Sequence, residues 1–145
     1  MVNLSRYYRL FMEYKDIAEF TVVYVKEAHA SDSWFVLNNN VSRKYAECID
    51  DRVEAVKEMI DLWKEKEEGL EDVIGDGPDD DQKQSINFLV DNMDNEVSTK
   101  LVALPERLYI VEDQKVVFQG GNGPFDYDIG AVEEFLKERR AQTNL

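Results

Sequence analysis

The sequence predicts one α/β domain built in three layers, with helices covering a largely parallel sheet. Three observations carry this expectation. Helix-period and strand-like segments alternate along the chain; the first strand-like run is apolar at nearly every position; and the last two strand-like runs are separated only by a short polar turn. Alternation of this kind favours parallel strands joined by helices, with an antiparallel pair closing one edge. At 145 residues the chain has the length of one such domain.

Each element follows from a local pattern. Leu4, Tyr7, Tyr8, Leu10, Phe11, Tyr14 and Ile17 recur at spacings of three and four, which predicts a helix over about residues 4–18. FTVVYV, residues 20–25, is β-branched and aromatic, as expected of a central strand covered on both faces. The segment 27–40, EAHASDSWFVLNNN, is rich in turn-forming Ser, Asp and Asn and holds the chain's single His. It follows a strand's C-terminal end, where open α/β sheets place their ligands. Val53, Val56, Ile60 and Trp63 mark a second helix over about residues 49–68, stopped by Gly69.

Residues 69–84, GLEDVIGDGPDDDQKQ, read as an exposed acidic loop insertion. Residues 86–91, INFLVD, form a second apolar strand, and residues 95–104 suit a short helix ended by Pro105. RLYIVEDQKVVFQGG, residues 107–121, predicts an antiparallel hairpin turning at Glu112 to Gln114. The last helix, about residues 129–140, directs Val132, Phe135 and Leu136 inward. This order is the layout of a thioredoxin-like three-layer sandwich over residues 1–145, with Pro105 as a cis-proline candidate before the hairpin.

Composition narrows the function classes. Seventeen Lys and Arg against thirty-one Asp and Glu give a net charge of −14, a field that repels a phosphate backbone, so nucleic acid is not an expected partner. A single cysteine, Cys48, excludes an internal disulfide, a CxxC couple and a Cys-rich metal site, and suits a reducing compartment. The carboxylates of GDGPDDD do not have EF-hand spacing, so no metal is expected. No signal peptide or membrane span is legible, and the expected location is cytoplasmic or cytosol-facing, without membrane contact from these residues.

Two segments go beyond fold class: YVKEAHASDSW, residues 24–34, and ALPERLYIVEDQKVVFQGGNGPFDYD, residues 103–128. Both resemble the iodothyronine deiodinases, with weaker matches in register at IAEFTVVYV, NNNV, the Asp51-Arg52 pair and VDNMDN. The resemblance implies a thioredoxin-like selenoprotein family that removes iodine reductively from iodothyronines or related halogenated phenols at the expense of a thiol reductant, and that forms homodimers. It implies that His29 and Glu27 are the proton-transfer elements, since an imidazole titrates near neutrality and a carboxylate orients it. It further implies that Trp34 and Arg107 contact substrate, the guanidinium gripping a carboxylate.

The sequence departs from the family pattern twice. A second histidine expected between the NN element and the Asp51-Arg52 pair is missing, and Tyr45 or Cys48 is a partial substitute for its hydrogen bonding. The strand with the selenocysteine or cysteine nucleophile is expected upstream of residue 1, as is any membrane anchor, so these 145 residues are expected to bind no cofactor and to turn over no substrate. Two rivals from other classes are a redox-inactive thioredoxin-like binding module and a thiol oxidoreductase using Cys48.

Overall fold

The computed structural model describes residues 2–28, 30–31, 43–74 and 84–143. Helix α1 spans Val2–Tyr14 and strand β1 spans Phe20–Tyr24, followed by α2 at Ile49–Lys64 and a single tight helical turn at Leu70–Asp72. Strand β2 is Ile86–Val90, α3 is Glu96–Lys100, β3 and β4 are Tyr109–Glu112 and Lys115–Gln119, and α4 is Ile129–Thr143. The fold is mixed α/β, with the described strands in two two-stranded sheets.

β1 and β2 are parallel, in register from Phe20↔Ile86 to Tyr24↔Val90. The ladder continues past the strand ends, where the Asp91 amide donates to the Tyr24 carbonyl at 2.8 Å. β3 and β4 are antiparallel, with a register irregularity between Ile110 and Val111. Their two-residue turn, Asp113 and Gln114, has φ of 48° and 62°. Two positive φ values give the turn the backbone twist that matches the right-handed twist of the flanking strands.

Both sheets pack on one core. Leu10, Phe11 and Tyr14 of α1, Trp63 of α2 and Val132 and Leu136 of α4 form its helical side, and Phe20 and Ile86 enter from the parallel sheet. Leu108, Ile110 and Phe118 bring the hairpin against the same cluster. Aromatic edges organise the centre: Phe20 meets Phe11 and Tyr7 in T-shaped pairs with ring centroids 5.5 and 5.6 Å apart. Such pairs add about 0.5–1.5 kcal/mol beyond the burial of their area. Arg140 staples α4 to the end of α1, its guanidinium 4.5 Å from the Tyr14 ring centroid and donating to the Glu13 carbonyl at 2.6 Å.

The observed elements correct several expectations. β1 is not covered on both faces: Phe20 is buried, but Thr21 and Val23 are exposed, as are Asn87 and Leu89 beside them on β2. The first helix ends at Tyr14, whose carbonyl accepts the amides of Ile17 and Ala18 in a closing turn, leaving Ile17 exposed. The buried face of α2 runs through Arg52, Ala55, Val56 and Trp63, leaving Val53 exposed, because the Arg52 guanidinium rotates the helix toward the end of β2. α2 stops at Lys64, and Gly69 with φ of 84° starts the tight turn instead. The first part of the acidic segment is core: Leu70 and Val73 are buried and Ile74 bridges to Ile86. Residues 75–83 lie outside the described residues. α3 is only five residues long, and Val102, at φ 51°, ends the helical path before Pro105.

Candidate functional site

The C-terminal ends of β1 and β2 carry a polar cluster that neither strand alone dictates. Tyr24 closes β1, and its hydroxyl donates to Glu27 Oε1 at 2.9 Å. The other carboxylate oxygen, Glu27 Oε2, accepts the Ala46 amide at 3.4 Å. Burial pushes the Tyr24 phenol well above its ordinary range, and the Glu27 carboxylate raises it further by hydrogen bond and charge, with Arg43 and Arg52 opposing. Tyr24 therefore stays protonated and acts as a fixed donor to Glu27 at neutral pH.

Beneath this pair lies a buried clamp. Arg52, 3% exposed, sends Nη1 to the carbonyls of Asp91 and Asn92 at 2.9 and 2.6 Å and Nη2 to Asn95 Oδ1 at 2.6 Å. The Asp91 carboxylate, also buried, accepts the amides of Val97 and Ser98 at 3.0 and 2.9 Å, at the start of α3. Burial pushes the Asp91 carboxyl up, but the hydrogen bonds from Ser98, Val97 and Asn92 outweigh it and hold it below its ordinary value. The Asp51-Arg52 pair thus divides its labour. Arg52 ties α2 to the strand end, and Asp51 Oδ2 accepts the amides of Glu47 and Cys48 at 2.8 and 3.0 Å, capping α2.

Glu27 thus lies in a built hydrogen-bonded setting, whereas His29 and Trp34 lie outside the described residues. Among the described residues it is the Ala46 backbone amide that donates to Glu27, and Cys48 is the exposed N-cap residue of α2. Sequence reasoning missed Tyr24 as a site residue. Its signal was available: a tyrosine closing an apolar strand needs a partner for its hydroxyl, and the nearest carboxylate follows three residues on.

Arg107 sits at the base of the hairpin. Its Nε donates to the Gly120 carbonyl at 2.8 Å and Nη1 to the Val102 carbonyl at 3.4 Å, while the guanidinium carbon lies 5.7 Å from the Tyr109 ring centroid. With the Gln119 amide in its hydrogen-bonding orientation, the carbonyl oxygen of that side chain also accepts from Arg107. The Tyr109 hydroxyl donates to the Leu101 carbonyl. Much of the fork therefore holds β3 and β4 against the loop that follows α3. The Leu104–Pro105 and Gly123–Pro124 peptides flanking this region are both cis. Tyr127, half-buried beyond Pro124, is pushed up to about 12 by burial and by the Glu106 carboxylate. No hydrogen bond joins Arg107 to Glu27 among the described residues.

Among the described residues no cluster of His, Cys, Asp and Glu could hold a metal ion, and no helix is long and apolar enough to cross a membrane.

Comparison with known proteins gives this geometry a family. The family model described as iodothyronine deiodinase matches residues 1–140. A thyroxine 5-deiodinase of Sparus aurata is 36% identical over 140 residues, 97% of this chain and 45% of that protein. A type I iodothyronine deiodinase of Xenopus laevis is 30% identical over 97% of this chain and 47% of its own length. A thyroxine 5-deiodinase of Gallus gallus is 32% identical over 98% of this chain and 47% of its own length. The chain spans about half the length of these relatives. Matched along nearly all of its residues, the chain belongs to the iodothyronine deiodinase family.

Proposed function

We propose that this chain supplies the proton-handling and substrate-gripping framework of a reductive deiodinase acting on iodothyronines or related iodinated phenols. The observation that carries the reading is the Tyr24–Glu27–Ala46 arrangement at the C-terminal end of β1, in a chain of this family. The overall change is balanced as aryl iodide plus two thiols giving arene, disulfide, iodide and a proton. A selenolate or thiolate supplies the soft nucleophile that takes iodine from carbon. Within this chain, His29 delivers the proton to the ring carbon, and Glu27, held by the Tyr24 hydroxyl and the Ala46 amide, orients the imidazole and balances its charge. Trp34 provides an aromatic wall, and donors of Arg107 not spent on the hairpin meet the substrate's carboxylate.

The nucleophile belongs, in this proposal, to a strand that pairs between β1 and β3 and joins the two small sheets into one thioredoxin-like sheet. Support comes from the strand order, in which β1 and β3 each have one partner among the described residues, and from the shared core beneath both sheets. The protein works on the cytosolic side of a membrane or in the cytoplasm, as a homodimer.

Iodide release from an iodothyronine with dithiothreitol tests the reading in two forms of the protein. The 145 residues alone release none, and a form extended by a strand bearing selenocysteine or cysteine releases iodide that His29→Ala abolishes. Release by the 145 residues alone, or none by the extended form, refutes it. A second reading for the bare chain is a binding module without redox chemistry, its single cysteine lying at the exposed start of α2. Saturable binding of substrate without release in both forms selects that reading.

A further inference from the structure

We infer that Arg43 is a positioning residue that sets the Glu27 carboxylate by anchoring the segment before α2 onto that helix; the inference rests on the proton-handling role proposed for Glu27. Arg43 joins three parts of the chain. Its Nη2 donates to Glu54 Oε2 at 3.1 Å and to the Asp51 carbonyl at 3.5 Å, and its Nη1 donates to Glu58 Oε2 at 3.3 Å, so one guanidinium spans more than a full turn of α2. Its own carbonyl accepts the Ser31 amide at 2.8 Å. Three residues later, the Ala46 amide donates to Glu27 Oε2.

Residues 27 and 31 are therefore held to residues 46 and 43, and residue 43 is held to α2. Among the described residues, the Ser31–Arg43 and Glu27–Ala46 hydrogen bonds are cross-links that tie residues 27–31 to the stretch before α2. The planar guanidinium fork suits the task, since it engages two carboxylates and a carbonyl at once where an ammonium is a point charge. Ala30, between the two cross-linked residues, is fully buried. The charged groups around the Tyr24–Glu27 pair are Arg43 and, from α2, Arg52. Arg52 is committed to the end of β2, which leaves Arg43 as the cation whose loss releases the loop.

The test is the Ala46 amide proton of the 145-residue chain, followed by NMR through the titration of Glu27. In the unsubstituted chain this proton shifts as the carboxylate ionises, and Glu27→Gln removes the shift. Arg43→Ala reduces the shift to less than about half if a positioning contact is lost. The double variant Glu54→Gln, Glu58→Gln keeps the Arg43 charge but removes its carboxylate anchors, and it reduces the shift likewise. An undiminished shift in either variant, or no shift in the unsubstituted chain, overturns the inference; an Arg43→Ala variant that fails to fold leaves the decision to the double variant. In the nucleophile-bearing extended form, Arg43→Ala lowers kcat about tenfold or more with KM within about twofold. An inactive extended form refutes the proposed function, while the Ala46 titration still decides the role of Arg43.

Discussion

Replacing Arg52 by methionine tests how much the fold depends on the clamp beneath the site. Methionine retains much of the apolar stem but removes the charge and three hydrogen bonds, to the carbonyls of Asp91 and Asn92 and to Asn95 Oδ1. Hydrogen bonds from a charged donor contribute about 1.5–3 kcal/mol each, and a buried carbonyl left without a partner costs about 1–3 kcal/mol. The Asn92 and Asn95 positions are partly open to water, which reduces the sum. A net loss of about 3 kcal/mol follows, within the range found for breaking buried charged networks. For a domain this size that lowers Tm by about 10 °C. Urea unfolding followed by tryptophan fluorescence measures it, with Trp63 buried in the core as one reporter. A loss below about 1 kcal/mol, at unchanged m-value, would show that water or the neighbouring amides replace the guanidinium and that the clamp is not structural.

Three further outcomes follow from the same geometry. Asp91 has a folded-state pKa below its unfolded value, so its stabilising contribution is present above the ordinary value of 3.8 and is lost as pH falls through the depressed folded value. Acid unfolding monitored by circular dichroism therefore has a component below about pH 4 that Asp91→Asn removes, together with a loss of stability at pH 7. Tyr24→Phe deletes the donor to Glu27 at constant volume and costs about 1 kcal/mol in urea unfolding; no cost would mean that the hydroxyl is solvated rather than bonded. Gln114→Gly relieves a side chain held at φ 62° in the hairpin turn and raises stability by about 0.5–1 kcal/mol, whereas a decrease would show that the Gln side chain makes a stabilising contact.

The periodic features of the fold were legible because they depend on near neighbours. The spacing of Leu10, Phe11 and Tyr14 set the buried stripe of α1, and the polar run Glu112 to Gln114 marked the hairpin turn, which the structure narrows to Asp113 and Gln114 with Glu112 closing β3. The rotation of α2 was legible only in part: of the expected stripe Val53, Val56, Ile60 and Trp63, Val56 and Trp63 are buried, but Arg52 and Ala55 complete the buried face and Val53 is exposed. Arg52 sets this rotation through carbonyls about forty residues away in sequence, and no local pattern records that. Leu70 and Val73 were hidden in the same way, inside a segment whose composition is acidic but whose first five residues close over the core. At the site, the Tyr24–Glu27 hydrogen bond is local, three residues apart, whereas the Ala46 amide reaches Glu27 from nineteen residues away, through tertiary placement.

The two donors that meet Glu27, the Tyr24 hydroxyl and the Ala46 amide, suit a carboxylate of fixed charge. A carboxylate near the end of a strand needs donors that do not themselves titrate in the working range, or its charge would change with theirs. Tyr24, raised by burial, and the Ala46 amide, which never titrates, meet that requirement without an imidazole. A backbone donor has a structural cost, because it cannot be aimed by rotating a side chain. Its direction is fixed by where residues 43–46 run, hence by what binds them to α2. The task of aiming Glu27 thus falls in part to the path of the backbone, and the ion pairs of Arg43 with Glu54 and Glu58 hold that path.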